Sequence, residues 1–115
     1  MNAPSKTSVE WSDTENAVID AFKATVQKKF TGRLSEIILY GSRARGDADE
    51  ESDYDFLVLL SDLNEYDNRH LDEISFSIAL EFSTVIVALA IQASKFTEER
   101  YFYFYENVCR EGIAL

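Results

Sequence analysis

The sequence predicts an α/β (α+β) domain: a small mixed β-sheet flanked by helices. Three observations carry that expectation. Apolar residues recur at helical spacing in two separate segments, short apolar runs lie between and after them, and a polar, charged stretch separates the first two runs. The chain has 115 residues, the size of one domain, and the expected organisation is a loose arm over 1–11 followed by a single domain over 12–115.

Each element has its own signal. Ser12 followed by Glu15 has the spacing of a capping box, so a helix is expected to start near Asp13. Val18, Phe22, Val26 and Phe30 then recur every fourth residue as one apolar stripe, and Gly32 is placed to end the helix. Ile37 to Tyr40 reads as a buried strand that stops at Gly41, and Asp53 to Leu60 as a second strand. Leu71, Ile74, Ile78 and Phe82 fall on one helical face between Asn68 and Phe82. Val85 to Ile91, apolar and β-branched, reads as a third strand at the centre of the sheet. Thr97 to Arg110 reads as a last helix, with Gly112 just beyond it.

Composition narrows the function. Hydrophobic residues make up 46% of the chain, enough for one core, and no apolar run approaches the ~20 residues of a membrane span. Residues 1–10 lack the apolar centre of a secretory leader, so a cytoplasmic protein is expected. Cys109 is the single cysteine and His70 the single histidine, which excludes an internal disulfide and a histidine-based metal cluster. With 21 acidic and 11 basic residues the net charge is −10, which disfavours long nucleic acid as a general partner and suits a basic protein better. A nucleotide can still bind where a metal or local arginines reverse the sign.

One segment, Leu39 to Asp47 continued by Ser52 to Phe56, carries recognisable chemistry. Gly41 ends a strand without a side chain, so an anion can approach the backbone there. Ser42 adds a hydroxyl and an N–H, and a short helical turn from this point would aim further N–H groups at a phosphate. Arg43 and Arg45 are the cations nearest the site, and guanidinium groups suit phosphate oxygens. Asp53 and Asp55, two apart at a strand start, point to one face and repel unless a cation lies between them. Mg²⁺ suits such a pair, completing its octahedron with water and triphosphate oxygens.

Gly41-Ser42, ten residues, then Asp53-Tyr54-Asp55 resembles the signature of the minimal nucleotidyltransferases in the DNA polymerase β superfamily. Arg43-Ala44-Arg45-Gly46 after the turn, and Phe104 to Val108 with Arg110-Glu111-Gly112 near the end, are similar to small prokaryotic members. The resemblance implies a nucleotidyltransferase fold, with Asp53 and Asp55 as catalytic Mg²⁺ ligands. It also implies that the Gly41-Ser42 turn holds a nucleoside triphosphate, ATP being the expected one, with Arg43 and Arg45 beside it. A helical HEPN-type protein, in some cases within a toxin–antitoxin pair, is the implied partner, and a homo-oligomer is the other possibility.

The family places a third carboxylate on a later strand, but Thr84 to Ile91 contains no acid. Glu81 lies upstream on the expected helix and Glu98 is the next acid downstream. Two aspartates can anchor one metal on the triphosphate, while a second metal that activates the acceptor loses a ligand. General-base help of that kind is worth about 10²–10⁴-fold in rate. Two expectations follow: a transferase moving NMP to a hydroxyl on a protein partner, or a slow or inactive, antitoxin-like binding module. The aromatic run Tyr101 to Tyr105 reads as helical, either with Phe104 and Val108 packed inward or as a protein-binding face.

Overall fold

The computed structural model describes residues 10–98 and 103–115. Helix α1 (Asp13–Lys29) begins with both halves of the capping box: Ser12 Oγ accepts the Glu15 N–H at 3.1 Å, and Glu15 Oε1 accepts the Ser12 N–H at 2.9 Å. Its stripe of Val18, Phe22, Val26 and Phe30 is buried throughout. Such burial is worth roughly 1.5–3 kcal/mol for each large side chain. Trp11, the last residue of the expected arm, is held in place, its indole N–H donating to the Arg43 carbonyl at 3.0 Å.

Strand β1 (Leu34–Tyr40) runs into the four-residue helix α2 (Ser42–Arg45). Strand β2 (Tyr54–Leu60) pairs antiparallel with β1, setting Tyr40 opposite Asp55. Helix α3 (Asp67–Phe82) then crosses to strand β3 (Ile86–Gln92), which pairs parallel with β2 and sets Val87 opposite Asp55. Helices α4 (Ala93–Glu98) and α5 (Tyr103–Glu111) follow, and strand β4 (Ile113–Ala114) returns antiparallel to β1. The sheet order is β3-β2-β1-β4, a small mixed sheet flanked by helices.

The two sheet faces have different cover. Ile37, Leu39, Phe56 and Val58 meet α1 and α3, with the Phe22 and Phe56 rings stacked at 3.9 Å between centroids. On the opposite face Ile38, Leu57 and Leu59 pack with Phe96 of α4 and with Val108 and Cys109 of α5. Side-chain alternation along β1 and β2 puts Tyr40 and Asp55 on that second face.

The expectation of a central third strand is corrected by the sheet order: β3 is an edge strand. A run apolar at every position suggests burial on both faces, yet only Ile86, Ala88 and Ala90 turn toward the core under α3, while Val87 is 46% and Leu89 41% exposed. The outer edge is capped in part by Asn68, whose side chain donates to the Ala90 carbonyl at 3.1 Å and accepts its N–H at 2.8 Å. In place of one helix over 97–110 the structure has α4 starting at Ala93 and α5 ending at Glu111. Residues 99–102 lie outside the described residues, as do the side chains of Tyr103 to Tyr105, and with them the aromatic run as a packed or protein-binding face. The two-residue β4 is an element without a counterpart among the sequence-based expectations.

Candidate functional site

The end of β1 builds one half of the site. Gly41 has φ +76°, a backbone geometry that side chains resist, and its carbonyl accepts the N–H groups of Ala44 and Arg45 at 3.1 and 3.0 Å. The helical ladder of α2 therefore starts beyond Ser42 and Arg43, whose N–H groups stay outside it.

The start of β2 builds the other half. A Cβ on Gly41 would lie 2.5 Å from Asp55 Oδ2, so the missing side chain is what lets the turn and this carboxylate touch. Burial pushes the Asp55 carboxyl above its usual range and the charge of Asp53 adds to the effect, while Arg45 works the other way. Tyr40, across the strand from Asp55, has its phenol raised by burial and then by the same carboxylate.

The two arginines part company. Arg45 is exposed beside the turn, with Nε 3.2 Å from Asp47 Oδ2 and Nη1 3.1 Å from Glu111 Oε2. Arg43 is only 6% exposed; its Nη1 donates to Glu15 Oε2 at 2.8 Å and its Nη2 to the Ser52 carbonyl at 2.7 Å. The guanidinium carbon sits 4.2 Å from the centre of the Tyr54 ring. Arg43 thus engages groups behind the site. Its counter-ion, Glu15, is 28 residues away and already accounted for as a cap, so no local pattern discloses the pair.

No third carboxylate joins the pair among the described residues. Val87 stands opposite Asp55, and Glu81 lies exposed on α3, which covers the other sheet face. Nor do the described residues hold any group of three or more His, Cys, Asp or Glu able to bind a metal. The Asp55 carboxylate against the Gly41 turn, with Asp53 two residues earlier in the chain, is a donor set that fits a hard divalent cation, because Mg²⁺ takes one or two carboxylates and draws its other oxygens from water and phosphates.

Comparison with known proteins places this geometry in a family. The family model described as "Nucleotidyltransferase domain" matches residues 19–107. The chain belongs to that family. A Methanocaldococcus jannaschii protein provisionally named a protein adenylyltransferase is similar to it, 33% identical over 101 residues, covering 88% of this chain and 97% of the relative. Among solved structures, a toxin–antitoxin structure with AMP-PNP matches at a TM-score of 0.57 and 18% identity, over 81% of this chain and 68% of that one. A structure of the toxin–antitoxin MntA-HpeT matches at 0.56 and 18%, over 87% and 70%. At that identity the likeness concerns the fold: this nucleotidyltransferase-domain chain shares its sheet and helix arrangement with them.

Proposed function

We propose that this chain binds an NTP, ATP in the first instance, together with Mg²⁺, and transfers the NMP group to a hydroxyl on a protein partner. The observation that carries the reading is the contact between the Gly41 turn and the Asp55 carboxylate, since it brings the backbone of the Gly-Ser turn against one of the two aspartates. Asp53 and Asp55 would hold the cation, which when bound offsets phosphate charge and polarises the α-phosphoryl group. The Gly41-Ser42 turn receives the triphosphate and Arg45 lends positive charge from the side. The acceptor oxygen forms a bond to the α-phosphorus, the α–β phosphoanhydride bond breaks, pyrophosphate leaves, and the acceptor proton passes to water.

A relative named for protein adenylylation and two solved toxin–antitoxin neighbours support a protein acceptor, with a helical HEPN-type protein as the partner. The cytoplasm supplies both ATP and Mg²⁺. A second reading, a slow or inactive antitoxin-like module, is favoured by one observation: the residue facing Asp55 from β3 is Val87, not an acid.

Calorimetric titration of Mg²⁺-ATP into the wild type and an Asp53→Asn/Asp55→Asn variant tests the site. Binding that disappears in the variant is the expected outcome, and silence in the wild type with every nucleotide would refute it. Transfer of label from α-³²P-ATP to a helical HEPN-type protein then separates the enzyme from the binding module.

A further inference from the structure

Asp53 and Asp55 carry like charges, so the pair tends to spread unless something holds it. Asp55 is fixed inside β2 against Gly41. Asp53 precedes the strand, is exposed, and follows the polar connection 46–52. Local bonds hold its two neighbours as well, Ser52 to Asp49 and the Tyr54 N–H to the Val85 carbonyl at 3.0 Å, but one side chain touches both of them. Arg43 grips the Ser52 carbonyl on one side of Asp53 and covers the Tyr54 ring on the other. Its own backbone belongs to α2, directly after Ser42, and its carbonyl accepts the Trp11 indole N–H. Glu15 holds the far end of the guanidinium.

We propose that Arg43 is a positioning residue, whose side chain ties the Gly41-Ser42 turn to the Asp53-Tyr54-Asp55 segment and sets Asp53 where one divalent cation can reach both carboxylates. The inference rests on the nucleotide–metal reading given above and assigns Arg43 a place behind the phosphates, not among them. Arginine suits this position because its planar fork serves Glu15 and Ser52 with separate nitrogens while its face lies on Tyr54. A lysine keeps the charge but brings its donors to a single nitrogen and has no flat face to lay on Tyr54.

The test measures Mn²⁺ binding, a spectroscopic substitute for Mg²⁺, by electron paramagnetic resonance, alongside melting temperature. The variants are Arg43→Lys, Arg43→Met and Glu15→Gln, with Val26→Ala as a control that weakens the α1 core away from the site. Well below the melting transition, Arg43→Met and Arg43→Lys are expected to bind Mn²⁺ about tenfold or more weakly, the usual loss when a group supporting metal ligands is removed. Glu15→Gln loses less, because Ser52 is still gripped, and Val26→Ala melts earlier with its Mn²⁺ affinity unchanged. If Arg43→Met does not fold, Arg43→Lys, which retains the charge, decides. Wild-type Mn²⁺ affinity in the Arg43 variants, whatever their melting temperatures, overturns the proposal and leaves the site reading intact. A wild type that binds neither Mn²⁺ nor Mg²⁺-ATP removes the site reading and this inference together.

Discussion

At Gly41 two demands meet in one residue: a positive φ and room for a carboxylate. They can be separated by comparison with Gly32, which has φ +84° but nothing within 4 Å of where a Cβ would stand. Gly32→Ala is expected to cost about 1 kcal/mol, the conformational penalty alone. Gly41→Ala adds the overlap with Asp55 and is expected to cost about 2–4 kcal/mol and to abolish Mg²⁺-ATP binding. Replacing Asp55 with Ala as well removes the nearest clashing atoms, so the double variant should be less destabilised than the two single effects summed. Chemical denaturation of the four proteins checks this, and simple additivity would mean that the close contact is not what selects glycine. At this scale the Gly41 turn and the strand start that carries Asp55 were legible in the sequence, because each is marked by a local pattern. The engagement of Arg43 was not, since it depends on a residue in the first turn of α1, far away in the chain.

At the scale of elements, legibility followed from whether a signal was local. The capping box and stripe of α1 and the Leu71-to-Phe82 face of α3 are written within one helix each, and both helices formed where the periodicity put them. The edge position of β3 is a matter of which strands pair, and an all-apolar run carries no information on that. β4 is too short to show any period and is held by pairing with β1 after α5. The same β2–β3 register yields a prediction. Val87→Asp would place a carboxylate on the sheet face of Asp55, opposite it and half exposed. Without metal the added repulsion should lower the melting temperature by a few degrees. With Mn²⁺ the loss should reverse, and affinity should rise by roughly tenfold as the ligand set grows. Titration of wild type and variant, with melting curves in both conditions, checks it. If Mn²⁺ neither binds more tightly nor restores stability, residue 87 is not where a third ligand can serve the pair.

Over the whole molecule the net charge of −10 and the few engaged carboxylates act on stability in opposite directions as the pH falls. Protonating surface acids relieves self-repulsion. Asp55 acts in the same direction: burial and then Asp53 raise its folded pKa, so the folded state gains stability as pH drops through that raised value. Asp67 opposes both. It is 1% exposed and receives two hydrogen bonds from Arg33, at 3.0 and 2.7 Å, which join the start of β1 to α3. Those bonds lower its carboxyl pKa against the opposing effect of burial, and the Asn64 N–H assists. Glu15 behaves similarly: burial raises it, but the Ser12 N–H and Arg43 bring it below its ordinary value. A depressed folded pKa contributes stability above the unfolded value, about 4 for a carboxylate, and that stability is lost as pH falls through the folded value. Stability should therefore rise as the pH falls through the raised Asp55 value and drop below about pH 4, where the lowered Asp67 and Glu15 lose their contribution. Asp67→Asn should cost about 2–3 kcal/mol at pH 7, less than a fully buried pair would because Arg33 reaches solvent. The variant should also lose part of the acid limb while keeping the rise that belongs to Asp55. Urea unfolding at a series of pH values measures both curves. Parallel curves over the acid range would show that Asp67 takes up its proton alike in the folded and unfolded chains, and that the Arg33 link does not hold the two elements as an ion pair.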